Sequence, residues 1–451
     1  MDIVVCGAGK VGEVICHDLS LEDHRVIIID QSEKRIDQMI HMADIAGVQG
    51  NGSLLDVQRE ADVDTCDMFI AVTPDDETNI IAAITAKKIG ARYVVARVRS
   101  PEYFHQMAFL RESLGIDLMI NPDYEAARAI DRMMRFPAAM GVESFGHARV
   151  FIVETDLAED SMYIGQSLRD LGRQHGDVLI AAVERDGDIV IPSGDFVLRA
   201  DDKLYITGLP TEIHRFMRVD PDRSKRPENV IIIGGGRITR YVLPMLQKLN
   251  MRLKVIEYDE AVADRLAGEF PKADIICADG TDQAILREER IYNSDAVIAL
   301  TGIDEENLLI SIYASRVGVP KTITKVNRTN LLNVLDNVGL QAIITPRRLI
   351  ADEIVRFVRS TDNIKGSNIE AFYRVAGGLA EVLQFHVADD SPVCDIPLMD
   401  METKPGLLIL CILRDDDIIF PSGSDIIRPN DEIIVVTTTP NFRDVSDILV
   451  K

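Results

Sequence analysis

The chain has 451 residues, a formal net charge of −24, 47% hydrophobic and 27% charged residues. A surface this acidic repels phosphate backbones and anionic lipid, which excludes nucleic acid as a partner and docking on a membrane through a basic patch. Length alone predicts roughly three domains, and the longest apolar runs, such as Leu407 to Leu413, fall far short of the roughly 20 residues that span a bilayer. Any membrane role must therefore pass through a partner.

Strands are predicted at Ile3–Cys6, Val26–Asp30, Ile45–Gln49, Met68–Val72 and Tyr93–Val98. The first begins so close to Met1 that no signal peptide is expected. Helices are predicted at Lys10–Leu21, Glu33–Met42, Glu77–Ile89 and Pro101–Leu114, with a last one near Tyr124–Met134 ending at Phe136-Pro137. The strands are short, apolar and non-alternating, as expected when helices cover both faces of a parallel, doubly wound sheet. After Ala138 the pattern changes to a small α+β module, with strands at Arg149–Thr155, Val178–Glu184 and Leu204–Thr207. Asp186-Gly187 and Pro192 to Asp195 read as its turns. The polar stretch Asp220 to Asn229 reads as a linker.

The whole unit then repeats. Gly7 matches Gly234 (234 − 7 = 227), Gly52 matches Gly280 (280 − 52 = 228) and Pro192 matches Pro421 (421 − 192 = 229). Such close registration predicts two tandem Rossmann-like doubly wound parallel sheets, each followed by a small α+β module. The expected boundaries are 1–136, 137–222, 223–364 and 365–451.

Each copy opens on a glycine turn between strand and helix. In Gly7-x-Gly9-x-x-Gly12 the first glycine makes the turn, the second lets backbone approach a pyrophosphate, and the third lets helix pack on strand. The helix N-terminus adds free N–H groups and a partial positive charge. Asp30 ends the second strand, where a carboxylate accepts both hydroxyls of an adenosine ribose and repels a 2′-phosphate. Its structural alternative is an acid capping the chain from Gln31 onward. The second copy carries Gly234, Gly235 and Gly236 with Glu257 as its acid, but Thr239 stands where the first has Gly12, so a looser or displaced helix is expected there.

Two further sets recur at strand carboxyl ends. Asn51-Gly52-Ser53 matches Asp279-Gly280-Thr281, and Thr73-Pro74-Asp75-Asp76-Glu77-Thr78-Asn79 matches the run from Thr301 to Asn307. Open α/β sheets bind ligands at this edge; helix capping by Asp75 or Asp76 is the structural alternative. Arg97 and its counterpart Lys325 end the fifth strands, where a cation can reach phosphates or form a surface salt bridge.

The six cysteines (Cys6, Cys16, Cys66, Cys277, Cys394 and Cys411) show no zinc spacing and read mostly as buried thiols of a reducing compartment. None of the eight histidines has an equivalent in the other copy. A soluble NAD-dependent dehydrogenase, the alternative function, would need a hydride acceptor site and a proton relay, and neither is legible. A DNA-binding redox sensor lacks a basic face.

Taken together, the Gly7 turn, Asp30, Gly50 to Ser53, Ala71 to Asn79 and the trailing Pro-Ser-Gly module resemble an RCK (KTN) unit, and two in tandem resemble the RCK family of cytosolic regulatory subunits of potassium uptake systems. The resemblance implies a non-enzymatic, potassium-transport regulator that binds NAD (NAD⁺/NADH), and in relatives ATP or ADP. It implies a ring of RCK units, a homotetramer, on the inner face of the plasma membrane, held there by a TrkH-like potassium channel or transporter subunit. The cofactor would be lined by Gly7, Ala8, Gly9, Lys10, Val11, Gly12, Asp30, Asn51, Thr73, Pro74 and Arg97 in the first site. Gly234, Gly235, Gly236, Arg237, Ile238 and Glu257 would line the second.

Overall fold

The computed structural model describes residues 1–450 except positions 23, 105, 147–148, 158–160, 175–177, 218–224, 329–339, 363–368, 440–441 and 443. Half of the expected linker, 220–224, and the expected boundaries at 222 and 364 lie outside the described residues, as do His105, His147 and His175.

Strands β1 (Asp2–Cys6), β2 (Arg25–Asp30), β3 (Ala46–Gln49), β4 (Met68–Ala71), β5 (Tyr93–Arg97) and β6 (Leu118–Ile120) form a parallel sheet in the order β3-β2-β1-β4-β5-β6. β7 (Gly141–Phe145), β8 (Val150–Asp156), β9 (Val178–Arg185), β10 (Asp188–Val190) and β11 (Lys203–Gly208) form an antiparallel sheet, β10-β9-β11-β8-β7. The second copy repeats both. Its parallel sheet contains β12 (Asn229–Ile233), β13 (Arg252–Glu257), β14 (Asp274–Cys277), β15 (Ala296–Ala299), β16 (Lys321–Lys325) and β17 (Ala342–Ile344), in the order β14-β13-β12-β15-β16-β17. Its antiparallel sheet contains β18 (Ile369–Val375), β19 (Ala380–His386), β20 (Leu407–Arg414), β21 (Asp417–Ile419) and β22 (Glu432–Thr437), in the order β18-β19-β22-β20-β21.

Local chemistry explains most element ends. Asn121 caps the Pro122–Arg135 helix by accepting from the N–H groups of Asp123 and Tyr124, both at 3.0 Å, and Pro122 sits in the first turn where no N–H is missed. Asp186 and Gly187 both adopt positive φ (56° and 85°), so Arg185 pairs directly with Asp188 in a two-residue hairpin. Arg185 then forks onto Asp202 at 2.7 and 2.8 Å, and Arg414 repeats this on Asp431, both bonds at 2.8 Å.

The expected Pro101–Leu114 helix is two pieces, Pro101–Phe104 and Met107–Leu114, because the chain turns where the Gln106 N–H meets the Tyr103 carbonyl at 2.9 Å. Periodicity alone does not show a single broken turn. Four cysteines are buried as expected, but Cys277 is exposed. Ser193 to Phe196 closes a turn (Phe196 N–H to Ser193 carbonyl, 3.0 Å) without forming a strand hairpin.

The last helix of each parallel unit crosses to the other copy. Ala126, Ala127, Ile130 and Met134 of the Pro122–Arg135 helix join Val230, Ile232, Tyr241 and Val242 in one core. Ile350, Ala351, Ile354 and Val355 of the Pro346–Asp362 helix join Ile3, Val5, Ile15 and Leu19 in another. Each parallel sheet has a core of its own on one face and shares the core on its other face with the other copy, so burial of apolar area itself ties the two together. The antiparallel sheets also face one another, with Phe145, Ile152 and Ala182 packed among Val382, Leu410 and Ile434.

On β8, Glu154 is pushed up to about 7, chiefly by loss of water, against the pull of the Lys203 ammonium. Its folded form thus holds a proton that the unfolded chain releases near pH 4.5, so stability falls as pH rises from the unfolded value through the folded one. Glu154→Gln is expected to raise stability by about 1–2 kcal/mol at pH 8 and to leave it unchanged at pH 4. Urea titrations at the two pH values check this.

Candidate functional site

The first glycine turn has the shape its sequence demands. Gly7 adopts φ +115°, and a Cβ there would lie 2.9 Å from the Thr73 backbone nitrogen. A Cβ on Gly12 would run into the Gly7 carbonyl oxygen, which is why the helix can lie so close to the turn. Gly9, the N-cap of the Lys10–Ser20 helix, is extended and has open space around the position a Cβ would take. The first N–H groups of a helix lack internal partners and face this opening.

Asp30 stands beside that opening and already has two partners. Its Oδ2 accepts from Ala8 N–H at 2.7 Å and its Oδ1 from Ser32 N–H at 2.8 Å. The capping role and the ligand-facing position therefore coexist, since each carboxylate oxygen keeps a second lone pair for a hydroxyl donor. Burial, with the Asp30 charge adding to it, pushes the thiol of neighbouring Cys6 up to about 12, which keeps it unreactive.

The loop after β4 is held from beneath by Asn79. Its Oδ1 accepts from Thr73 N–H at 2.8 Å and from Thr73 Oγ1 at 2.7 Å, and its Nδ2 donates to the Arg97 carbonyl at 2.9 Å. Asp75 caps the following helix by accepting from Thr78 N–H at 2.8 Å, and Asp76 accepts from Arg99 and Ser100 N–H at 2.8 and 2.9 Å. The acidic run thus serves capping and loop bracing. Arg97 forms no surface ion pair of the expected kind. It is buried, donates to the Thr73 carbonyl at 2.5 Å, and has an Nε without a partner; loss of water lowers its pKa to about 10. Lys325 occupies the equivalent place, donating to the Leu300 carbonyl at 3.2 Å, and burial lowers its pKa as well. Asn51 Oδ1 accepts from Ser53 N–H at 3.1 Å, closing its own turn, as Asp279 does with Thr281 at 2.8 Å.

The second turn keeps the plan with different parts. Gly234 has φ +103°, Glu257 accepts from Gly235 N–H, and its other oxygen accepts from Asp259 N–H at 2.8 Å. Thr239 is fully buried, and its Oγ1 donates to the Gly234 carbonyl at 2.5 Å. The helix stands back by one side chain, and a hydrogen bond fills the gap, so the expected looseness is absent. Arg237 turns its side chain to Asp123 of the first copy at 2.7 Å. Sequence reasoning missed Gln58, which is buried and donates to the Gly52 and Ala82 carbonyls at 2.7 and 2.9 Å, pinning the third loop of the first site. No local pattern distinguishes such a buried glutamine from a surface one.

Two glycine turns, each with an acid at the end of the second strand of a parallel sheet in the order 3-2-1-4-5-6, define a tandem Rossmann-like α/β protein. The TrkA-N domain model matches residues 3–122 and 230–346, and the TrkA-C domain model matches 152–219 and 382–450. The Trk system potassium uptake protein TrkA homolog 2 of Methanosarcina mazei is 31% identical over 459 aligned residues, covering 99% of this chain and all of that one. The crystal structure of the GsuK RCK domain superposes with a TM-score of 0.63 at 15% identity, covering 97% of this chain and 92% of that one. The GsuK channel bound to NAD gives 0.63 at 16% identity, covering 97% and 77%. The chain belongs to the TrkA family. Among the described residues no helix is long and apolar enough to cross a membrane.

Proposed function

We propose that the protein is the nucleotide-binding regulatory subunit of a potassium uptake system, gating transport through a TrkH-like membrane partner in response to NAD(H) or ATP and ADP. The observation that carries this is the duplicated glycine turn with its ribose-height acid, in a chain of the TrkA family. Gly7, Ala8, Gly9, Lys10, Val11 and Gly12 line the phosphates of the first ligand, which the N–H groups at the start of the Lys10–Ser20 helix hold, and Asp30 takes the ribose diol. Thr73, Pro74, Arg97 and Asn51 edge the same cleft; Gly234 to Ile238 and Glu257 form the second. The role is non-enzymatic, and the alternation of parallel and antiparallel sheets supports a four-part division, with boundaries at 136, 222 and 364. A name shared by relatives, potassium uptake, supports the transport role, and the NAD-bound relative supports the ligand class.

Self-association into a ring, as a homotetramer, gives the exposed apolar residues a partner. Ile81 and Leu309 occupy equivalent positions in the two copies (309 − 81 = 228) and are 54% and 68% exposed. The ring sits on the cytoplasmic face of the plasma membrane through its partner. Gating requires that nucleotide bind two ring conformations unequally.

Asp30→Ala is expected to weaken ADP and NADH binding by about 1–3 kcal/mol through unpaired ribose hydroxyls. Calorimetry on the intact chain reads this directly, and unchanged affinities would remove Asp30 from the site. Co-purification with a membrane potassium transporter, followed by potassium flux with each nucleotide, tests the regulatory role. Saturable turnover of a metabolite with NAD⁺ would overturn it.

A further inference from the structure

The two copies meet at two equivalent joints, and among the described residues only the first carries a buried network of forked ion pairs; the second has apolar contact with single polar bonds, Arg237 to Asp123 at 2.7 Å, Asn121 to Tyr241 at 2.9 Å and Lys321 to the Ala139 carbonyl. At the first, Asp18 (4% exposed) projects from the Lys10–Ser20 helix and Glu22 follows one turn later. Arg374 of β18 clamps both, with Nη1 to Asp18 Oδ2 at 2.6 Å and Nη2 to Glu22 Oε1 at 3.1 Å. Arg359 of the crossing Pro346–Asp362 helix grips Glu22 with two bonds at 2.7 and 2.9 Å, and reaches Glu381 of β19 at 3.3 and 3.4 Å. Arg348 Nη1 lies 3.6 Å from Asp18 and its Nε 3.2 Å from Asp352. The guanidinium of Arg359 also stacks 3.8 Å over the Phe372 ring.

At the mirrored joint these positions carry no such network. The helix offsets place Met245 and Leu249 where the first joint has Asp18 and Glu22 (245 − 18 = 227; 249 − 22 = 227). The strand offsets place Ser144 and Phe151 where it has Arg374 and Glu381 (374 − 144 = 230; 381 − 151 = 230). Arg135, the counterpart of Arg359, pairs with Asp131 of its own helix, and Phe136 packs on Phe151 with ring centres 5.4 Å apart.

The physical difference is directionality. Apolar contact depends on area and tolerates sliding. Forked, buried ion pairs depend on geometry, and a charge that loses its partner without regaining water is costly. A shift of the Lys10–Ser20 helix must therefore carry β18 and β19 with it, whereas the end of its counterpart that bears Met245 and Leu249 shares only an apolar core with Phe151. The moving end matters, because the N-terminus of that helix is the Gly9 end of the first glycine turn.

We infer that the Asp18–Glu22–Arg359–Arg374 network is a mechanical link, through which occupancy of the first nucleotide site is transmitted to the second antiparallel module more strongly than occupancy of the second site is transmitted to the first module. This rests on the nucleotide reading given above. Hydrogen exchange on the intact chain, with and without saturating ADP, tests it, with calorimetry on the same samples. Exchange in residues 369–387 is expected to change by about tenfold on binding, with little change in 141–156. The response in 369–387 is expected to need a higher ADP concentration in Asp30→Ala, to vanish in Glu22→Gln, and to survive unchanged in Glu257→Ala. Glu22→Gln should keep its binding heat, since Glu22 lies outside the ligand cleft. Absence of binding heat from the unmodified chain would overturn the nucleotide reading and the link with it. Binding heat with equal responses in both modules, or with none in 369–387, would overturn the link alone, and this comparison needs no variant that might fail to fold.

Discussion

Arg359→Met is expected to cost about 3–5 kcal/mol of stability, one of the two largest single effects in the molecule. The guanidinium is 10% exposed and lies between the Glu22 and Glu381 side chains, which are 8% and 9% exposed. Glu22 would keep Arg374 at 3.1 Å, but Glu381 would lose the partner it has at 3.3 Å. The penalty is that of a carboxylate left dry and unpaired rather than the net worth of the pair, so Arg359→Met combined with Glu381→Gln should recover a large part of it. Arg135→Met is the natural control. Arg135 is 49% exposed and pairs with Asp131 one turn back in its own helix, so the loss there should be under about 0.5 kcal/mol. Urea unfolding of the four proteins decides the matter, and equal losses at positions 359 and 135 would show that the buried network contributes nothing special.

Gly12→Ala is expected to cost about 3 kcal/mol and to abolish nucleotide binding at the first turn, because the new methyl would meet backbone rather than a movable side chain. The neighbouring Val72 methyl would be 3.8 Å away, an ordinary contact, so the whole effect comes from the Gly7 carbonyl. The second copy has met the same problem with a different solution. There Thr239 holds the helix back and bonds to the carbonyl that the glycine would otherwise approach. Thr239→Gly should therefore destabilise by about 1–2 kcal/mol through the lost hydrogen bond and the space left behind, instead of restoring a tighter turn. Thermal unfolding with ADP titration separates the two effects of Gly12→Ala, since a protein that unfolds earlier yet binds normally would contradict the steric account.

The second site differs from the first in more than Thr239. Arg237, expected beside the phosphates, is engaged by Asp123 of the first copy, and Leu286 stands where the first site has Gln58 (286 − 58 = 228). The first site is thus pinned by a buried amide and the second by an apolar side chain, which is 1% exposed. These differences make the two clefts chemically distinct although their backbones follow one plan.

Much of this was readable in the residue order. The strands and the sequence of turns follow from short windows: a strand, a glycine turn, a helix, an acid at the end of the next strand. Each window carries its own physics, because positive φ at Gly7, a cap at Asn121 and a two-residue hairpin at Asp186-Gly187 are satisfied by neighbours within a few residues. The family resemblance added the regulatory reading on the same residues. The repeat itself was legible from registration, although the offset between the copies, 227 at the glycine turns, is 224 at the crossing helices and 230 at β7 and β18.

What the residue order left open depends on contacts between distant positions. Asp18 reads as a helix-surface acid until Arg374, 356 residues away, is placed on it. Arg97 reads as a cation free to reach outward until burial turns it onto the Thr73 carbonyl. The crossing of each last helix onto the other copy is invisible locally, because an apolar stripe records that a face will be buried and not which surface will bury it. Sequence determined the two units and their turns, since hydrogen bonding and backbone sterics act over a few residues. Only the tertiary structure decided that one joint holds a buried ionic network and the other is mainly apolar, since charge pairing and core burial act across whatever the fold brings together.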